Sequence, residues 1–302
     1  MQSEHELEND DHCGVEHGEI YADDEQPRAL LLGYGDIASR LAPLLQEIGF
    51  AVTGVRRKPE RAIAVAGVDV RAGDLQHAET FTELLAEDWD LVVLTLTPSS
   101  YSGEGYQQGY VVPVQHLVQQ LSAQVSDNYQ PLILYVGSTS VYGQRDGNWV
   151  DENSLTEPDS ETGKMLLAAE NALRESALNS VIVRAAGIYG PGRERMYQAL
   201  REGNYTITPT WHNRIHADDL AGALEHLALQ SFMGAELDEV YIACEDTPLY
   251  GENYVRQLAH ELDLDANTLL AQLPTSNEVG PRGNKRLSNA RLRATGWESG
   301  GA

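Results

Sequence analysis

The feature that most constrains this chain is a glycine-rich turn between a short apolar run and an amphipathic segment. Ala29–Leu32 is apolar enough for a buried strand, and apolar residues recur at helical spacing from Ile37 to Ile48. The turn between them reads Gly33-Tyr34-Gly35-Asp36-Ile37-Ala38. In such a strand–turn–helix, the first glycine permits the tight turn, the second lets the backbone approach a pyrophosphate, and Ala38 keeps the helix close to the sheet. We therefore expect these six residues to bind a dinucleotide, with its phosphates at the helix N-terminus, rather than only to turn the chain.

Apolar strand candidates and helical patterns alternate along the first 190 residues. The later strand candidates are Ala51–Val55, Val68–Val70, Leu91–Leu96, Leu132–Val136 and Val181–Val183. Helical patterns lie around Ala62–Ala66, Thr80–Leu85, Val111–Leu121 and Lys164–Ala177. Near-continuous apolar strands that alternate with helices are typical of a parallel sheet covered on both faces. The sequence predicts an α/β fold with a Rossmann-type doubly wound parallel sheet and a small C-terminal α/β substrate lobe.

We expect three regions: a disordered acidic tail at 1–26, a dinucleotide-binding domain at 27–190 and the smaller lobe at 191–302, interleaved with that domain. The first 26 residues hold ten acids and neither Lys nor Arg. Their three histidines and Cys13 fit no standard zinc spacing, so we expect a solvated tail rather than a metal site. The elements expected after residue 190 are shorter, namely helix Met196–Leu200, strand Thr206–Thr208, helix Asp219–Leu229, strand Val240–Ala243 and helix Asn253–Leu262.

Composition limits the partners of this chain. The net charge is −25, which disfavours binding to a nucleic-acid phosphate backbone. The longest apolar runs fall well short of the roughly 20 residues of a membrane span, and the first residues do not read as a secretory signal. The two cysteines are expected to be free thiols in a reducing compartment. The sequence predicts a cytoplasmic protein with no nucleic-acid or membrane partner.

The end of the second strand bears on which dinucleotide binds. An acidic residue there suits the ribose 2′-hydroxyl of NAD, whereas an arginine suits the 2′-phosphate of NADP. Here the strand ends in Arg56, Arg57 and Lys58, with no acid before Glu60. We expect Arg56 and Arg57 to favour NADP; the alternatives are NAD and a merely solvated loop.

Further segments follow the turn in a recognisable order: Gly73-Asp74-Leu75, the serine-rich Gly137–Gly143, Arg184–Gly192 with its Tyr-Gly-Pro-Gly, Asn213–Ala221, and Lys285–Asn289. Together they resemble the extended short-chain dehydrogenase/reductase superfamily, the NAD-dependent epimerase/dehydratase family. The resemblance implies that Asp74 and Leu75 contact the adenine and that Leu96 and Thr97, after the fourth strand, border the cofactor. It also implies hydride transfer to or from a nicotinamide, and a homodimer formed through the helix after the fourth strand and the Lys164 helix.

The resemblance implies a catalytic hydroxyl at Ser138 and a catalytic lysine at Lys164. In the family a Tyr precedes the Lys by four residues, and its phenol exchanges the proton. Ser160 stands there instead, and no Tyr occurs between Tyr142 and Tyr189. In this respect the chain resembles the superfamily's atypical branch, which keeps the cofactor fold and loses the Tyr.

The candidates for binding substrate are Tyr142, Arg193, Asn213 and Arg214, the arginines as anion contacts and Tyr142 either as a stacking surface or as packing. His216 is expected to pack nearby, with Asp218 or Asp219 capping the following helix.

These residues leave two functions open. The first is an oxidoreductase or epimerase that acts on a nucleotide-sugar-like or small carbonyl or alcohol substrate. The second is a non-catalytic protein that senses NADP(H). A relic that no longer binds cofactor is disfavoured by the intact glycine turn.

Overall fold

A computed structural model describes residues 26–126, 128–280 and 283–300. The expectations for the acidic tail, including Cys13 and the tail histidines, lie outside these residues.

The bounds of the elements are as follows. The strands are β1 (Arg28–Leu32), β2 (Ala51–Arg56), β3 (Asp69–Ala72), β4 (Leu91–Leu94), β5 (Leu132–Ser138), β6 (Trp149–Val150), β7 (Ser180–Ala185), β8 (Gly187–Tyr189), β9 (Trp211–His212), β10 (Arg214–His216), β11 (Val240–Ala243), β12 (Leu249–Tyr250) and β13 (Arg286–Leu287). The helices are α1 (Asp36–Glu47), α2 (Ala78–Leu84), α3 (Gly103–Tyr106), α4 (Val112–Leu121), α5 (Glu161–Arg174), α6 (Arg195–Arg201), α7 (Ala217–Phe232), α8 (Gly251–Glu261), α9 (Ala266–Gln272) and α10 (Ala290–Ala294). A π-helical stretch, Gln107–Val111, joins α3 to α4.

The main sheet is parallel throughout, in the order β3-β2-β1-β4-β5-β7-β11. Side chains that alternate along β1 enter two separate apolar clusters. Ala29 and Leu31 pack on the face covered by α1 and α7, and Leu30 and Leu32 on the face covered by α2, α4 and α5. Because both faces are covered, the strands are apolar at nearly every position. The predicted doubly wound α/β fold is confirmed.

The C-terminal part of the chain contributes to both layers of this fold. β11 pairs with β7 as the last strand of the main sheet, and α7 packs against α1. A separate small cluster around Leu200, Val255 and Leu258 forms a second core between α6 and α8. The short pairs β8–β10, β9–β12 and β6–β13 connect this lobe to the sheet edge.

Two expected elements are absent from the described chain. The apolar pattern at Ala62–Ala66 does not form a helix, and only a 3₁₀ turn at Pro59–Arg61 precedes it. Ala62 and Val65 pack against the core but Ile63 is 54% exposed, so the segment has too few core contacts to stabilise an isolated short helix. The expected strand Thr206–Thr208 is reduced to one bridge between Ile207 and Thr275.

An ion pair is buried beneath the carboxyl end of β5. Arg184 on β7 donates through Nε (3.0 Å) and Nη2 (2.7 Å) to Glu170 Oε2 on α5, and through Nη1 (2.7 Å) to the Tyr142 hydroxyl. The Arg184 and Glu170 side chains are 1% and 0% exposed. A carboxylate and a guanidinium this deep are tolerable only as a pair, because either one alone would be an uncompensated buried charge.

Replacing Arg184 by Met should therefore lower the free energy of unfolding by about 3–5 kcal/mol, since Glu170 loses its counter-charge. Chemical denaturation measures this loss. The matched control is Arg174→Met, because Arg174 on the same helix as Glu170 pairs with Glu239 at the surface. That exposed pair should contribute less than about 1 kcal/mol. Equal losses in the two variants would contradict the interpretation.

Candidate functional site

A cleft of about 690 Å³ lies at the carboxyl edge of the main sheet. All strands of a parallel sheet end at the same edge, which is where α/β folds bind ligands. Of the residues predicted to bind cofactor, all but Ala38 line this cleft: Gly33, Tyr34, Gly35, Asp36, Ile37, Arg56, Arg57, Asp74, Leu75, Leu96 and Thr97. Ala38 is fully buried on the inner face of α1, where its small side chain lets the helix lie close to the sheet.

The glycine turn is held tightly between two strands. Gly33 and Tyr34 donate their backbone N–H groups to the Val55 carbonyl, at 3.1 and 2.8 Å. Gly33 has φ +91°, and a Cβ there would lie 2.7 Å from the Thr95 carbonyl oxygen. Gly35 directly precedes α1, and no side chain caps the helix. The first N–H groups of α1 are therefore not used by a cap, as binding of a phosphate at a helix N-terminus requires.

Tyr34 supports the turn from below. Its side chain is 1% exposed and packs on Gly54 of β2, where a Cβ would lie 2.3 Å from the ring. Its hydroxyl is buried with no hydrogen-bond partner among the described residues, and burial raises the pKa of the phenol. Tyr34 therefore fills space beneath the loop, which explains a glycine in the middle of a buried strand.

One end of the cleft is strongly basic. Arg56, Arg57, Lys58 and Arg61 all line it, and Arg56 Nη1 donates to the Arg61 carbonyl at 2.7 Å. Within the described ranges none of these four side chains forms an ion pair with a carboxylate. On a chain of net charge −25, this concentration of uncompensated positive charge would attract an anionic group.

Asp74 faces this basic end from the turn after β3. Its Oδ1 accepts a hydrogen bond from the Gln76 backbone N–H at 3.1 Å, and its carbonyl accepts one from the Thr80 hydroxyl at 2.9 Å. The carboxylate therefore shapes the turn before α2 while it lies at the cleft wall with Leu75.

The residues predicted to be catalytic lie outside the cleft lining. The Ser138 hydroxyl accepts a hydrogen bond from the Ser140 backbone N–H at 3.2 Å and so caps the 3₁₀ turn after β5. Lys164 is half exposed, and its Nζ lies 2.8 Å from Glu161 Oε1; this hydrogen bond raises the pKa of the ammonium. Ser160, at the position of the family's Tyr, caps α5 by accepting from the Gly163 N–H at 3.0 Å. This cap starts the helix at Glu161, before the expected Lys164.

Three of the residues predicted to bind substrate make structural contacts, namely Tyr142, Arg214 and Asn213. Tyr142 is 2% exposed with its hydroxyl on Arg184, and burial raises the pKa of the phenol to about 12. Arg214 pairs with Glu261 (3.0 Å) and Glu245 (3.5 Å) and covers the Tyr189 ring. Both side chains are buried and already have partners in the structure, which for Tyr142 agrees with the packing alternative, and a substrate contact of either residue stays a prediction.

Asn213 connects the small lobe to the C-terminal segment. Its amide donates to the Lys285 carbonyl at 2.9 Å and accepts from the Leu287 N–H at 2.8 Å. Both ends of the amide are used in these contacts, and the expected substrate contact of Asn213 stays a prediction. Arg193 is the substrate candidate that does line the cleft.

The cap of α7 also differs from the expectation. His216 Nδ1 accepts the Asp218 backbone N–H at 3.3 Å, so the histidine is the cap. Asp218 pairs with Arg40 on α1, and Asp219 Oδ1 accepts the Gly300 N–H at 2.9 Å.

Sequence reasoning missed the wall of the cleft beyond β4. Thr95, Ser99, Gln108, Gly109, Tyr110 and Ile188 contribute to it. A Cβ at Gly109 would lie 2.6 Å from the Thr97 carbonyl oxygen, so the π-helical stretch can approach the β4 loop only because it has a glycine there. This stretch brings the Tyr110 side chain to the cleft. The helical pattern at Val111–Leu121 gave no sign of it, because a π turn has no sequence period of its own.

No helix among the described residues is long and apolar enough to cross a bilayer. No group of three or more His, Cys, Asp or Glu side chains in the same residues is arranged to hold a metal ion.

A family model described as NAD(P)H-binding matches residues 33–230, from the glycine turn to the end of α7. The chain belongs to this NAD(P)H-binding family. Among curated proteins no significant sequence relative is found.

Solved structures extend this assignment. A Methylobacillus flagellatus protein assigned as an NAD-dependent epimerase/dehydratase is 31% identical, with a TM-score of 0.73 over 91% of this chain and 93% of that one. WbmG from Bordetella bronchiseptica, solved with NAD, is 16% identical, with a TM-score of 0.73 over 95% and 92%. MoeE5, solved with UDP-glucuronic acid and NAD, is 19% identical, with a TM-score of 0.70 over 91% and 94%. The expected resemblance to the extended short-chain dehydrogenase/reductase superfamily is confirmed; the last two likenesses concern the fold alone.

Replacing Gly33 by Ala should weaken dinucleotide binding at least tenfold and lower the melting temperature. The added Cβ meets the Thr95 carbonyl, and a φ of +91° is strained for any residue but glycine. Titration calorimetry and thermal melting measure the two effects. The control is Gly222→Ala in α7, where a Cβ has open space and a helix gains about 0.5–1 kcal/mol. Unchanged binding in Gly33→Ala would contradict this account of the turn.

Proposed function

We propose that this NAD(P)H-binding protein prefers NADP(H) and transfers hydride between the nicotinamide and a nucleotide-sugar-like or small carbonyl or alcohol substrate. The observation that carries the cofactor preference is the basic end of the cleft. Arg56, Arg57, Lys58 and Arg61 converge where an NAD-binding chain has a carboxylate for the ribose hydroxyls. Arginine is suited to a phosphate because its planar guanidinium donates two parallel hydrogen bonds.

The remaining parts of the cleft fit a dinucleotide. The uncapped N-terminus of α1 and the glycine turn suit the pyrophosphate, and Leu75 and Asp74 suit the adenine side. A bound nicotinamide supplies or accepts the hydride. At the far wall, Thr97, Ser99 and Tyr110 carry the hydroxyls that can hold the substrate oxygen, and the Tyr110 phenol can donate it a proton.

The placement of Ser138 and Lys164 favours a second candidate, a non-catalytic sensor of NADP(H). The Ser138 hydroxyl caps a turn and the Lys164 ammonium pairs with Glu161 at the surface, so neither is directed at the cleft. In that case the oxidised and reduced cofactors would bind with different affinities, and the difference would be read by a partner protein.

The cofactor preference is tested by titrating NADPH and NADH into the protein and into Arg56→Ala. NADPH should bind more tightly than NADH, and the variant should lose about tenfold in NADPH affinity, because a hydrogen bond to a charged group contributes about 1.5–3 kcal/mol. NADH affinity should change less than about twofold. The control is Arg201→Ala, an exposed arginine on α6 outside the cleft. Equal losses for NADPH and NADH in Arg56→Ala would argue against a 2′-phosphate site.

The catalytic proposal is tested by following consumption of NADPH with a panel of small aldehydes and formation of NADPH from NADP⁺ with a panel of UDP-sugars. We expect turnover that Tyr110→Phe reduces by about 10²-fold or more, because the variant removes the proton donor from the cleft. Cofactor affinity should be unchanged. The control is Tyr101→Phe in the same segment, since Tyr101 is 88% exposed. Cofactor binding without turnover across the panel, with NADP⁺ and NADPH differing in affinity, would support the sensor instead.

A further inference from the structure

An acidic residue lies beside the helix N-terminus that the proposed function assigns to the dinucleotide's phosphates. Asp36 is the first residue of α1, directly after the glycine turn, and its side chain is one-third exposed at the cleft. A helix N-terminus stabilises one negative charge well, and Asp36 already supplies it. A pyrophosphate that approaches the same N–H groups would meet this carboxylate, and the two like charges would repel each other.

Two arginines share this carboxylate. Arg40, one turn along α1, places Nε 2.9 Å from Asp36 Oδ1. Arg193 approaches Asp36 Oδ2 from the other side through Nη2 (2.9 Å) and Nε (3.1 Å). The carboxylate is therefore compensated on both oxygens, once from its own helix and once from a distant loop.

The Gly-Pro-Gly turn after β8 is what brings Arg193 to Asp36. Gly190 and Gly192 have φ values of +123° and +83°, and the Arg193 N–H closes the turn on the Gly190 carbonyl at 3.1 Å. A Cβ at Gly190 would lie 2.7 Å from His216 Nε2, so the turn packs closely on the cap of α7. Arg40 Nη2 reaches the Pro191 carbonyl at 3.3 Å and ties the same turn to α1.

The two arginines differ in what else they hold. Arg40 also pairs with Asp218 and does not line the cleft. Arg193 lines the cleft, and within the described residues its carboxylate partner is Asp36 alone. If Arg193 moved away, Asp36 would keep Arg40, so no bare carboxylate would remain at the helix terminus. Arg193 is thus the cation that can be given up to a ligand.

We infer that Arg193 is a pyrophosphate clamp, held by Asp36 in the free protein and transferred to a cofactor phosphate when the dinucleotide binds. The inference rests on the dinucleotide lying across the cleft as in the proposed function, and adds to it a residue that discriminates dinucleotides from the adenosine half alone. Asp36 acts as the competitor that the phosphate displaces. The Gly-Pro-Gly turn thereby has a function in binding and not only in connecting the small lobe.

The experiment compares two probes, NADPH and adenosine 2′-monophosphate, which carries the 2′-phosphate but no pyrophosphate. Each is titrated into the full-length protein and into Arg193→Ala, Asp36→Asn and Arg195→Ala. Arg195 is the matched control, since it is an exposed arginine two residues further on and lies outside the cleft. Thermal melting of each variant in the absence of ligand checks that the fold is kept.

Arg193→Ala should weaken NADPH binding about ten- to hundredfold and leave the monophosphate within twofold, because only the pyrophosphate loses a charged hydrogen-bond donor. Asp36→Asn should tighten NADPH binding, since the competing carboxylate is removed, and should also leave the monophosphate unchanged. Arg195→Ala should alter neither probe.

Three results would overturn the clamp. Arg193→Ala with unchanged NADPH affinity would show that the arginine only braces the turn. Equal losses for both probes would place its effect at the adenosine end. Weaker NADPH binding in Asp36→Asn would show that the carboxylate is needed in the complex and is not displaced. By contrast, no binding of NADPH or NADH to the unaltered protein would refute the proposed function itself, and the clamp with it.

Discussion

The common direction of the strands in the main sheet determines where the cleft lies and which residues border it. Each strand runs parallel to its neighbours, so the carboxyl ends of all seven strands lie at one edge of the sheet, and the inner strands are buried on both faces. The glycine turn after β1, the basic residues after β2, Asp74 after β3 and Thr97 after β4 are far apart in sequence but border one cleft. The side chains that cover the sheet are ordinary apolar ones. The position of the cleft is set by the parallel direction of the strands.

The cleft is basic although the protein as a whole is acidic. A net charge of −25 would repel a phosphate ligand, yet the cleft collects cations at its basic end and a further arginine at the helix N-terminus. The one acidic side chain at that terminus, Asp36, is matched by Arg40 and Arg193. Local arrangement therefore offsets the global charge, because ion pairs and hydrogen bonds act over a few ångströms while distant surface acids are screened by salt.

The helix that resembles the family's catalytic helix makes structural contacts through several of its polar side chains. α5 carries Ser160 as its cap, Lys164 at the surface and Glu170 in the buried pair with Arg184. Gly137 leaves room for that pair, since a Cβ there would lie 2.8 Å from Glu170 Oε1. A tyrosine that lines the cleft, Tyr110, instead comes from the π-helical stretch before α4.

The sequence by itself determined the sheet, the glycine turn and the basic end of the cleft, because these depend on local signals: apolar periodicity, glycines where a turn needs them, and charge at a strand end. Only the tertiary structure decided which charged and polar side chains are available to a ligand. Arg193 and Arg214 look equivalent in the sequence, yet a close turn brings one to the cleft, while two glutamates and an aromatic ring enclose the other. Tyr142 and Tyr110 differ in the same way, one on a buried arginine and one at the cleft. Their availability depends on neighbours from distant parts of the chain, which no local pattern records.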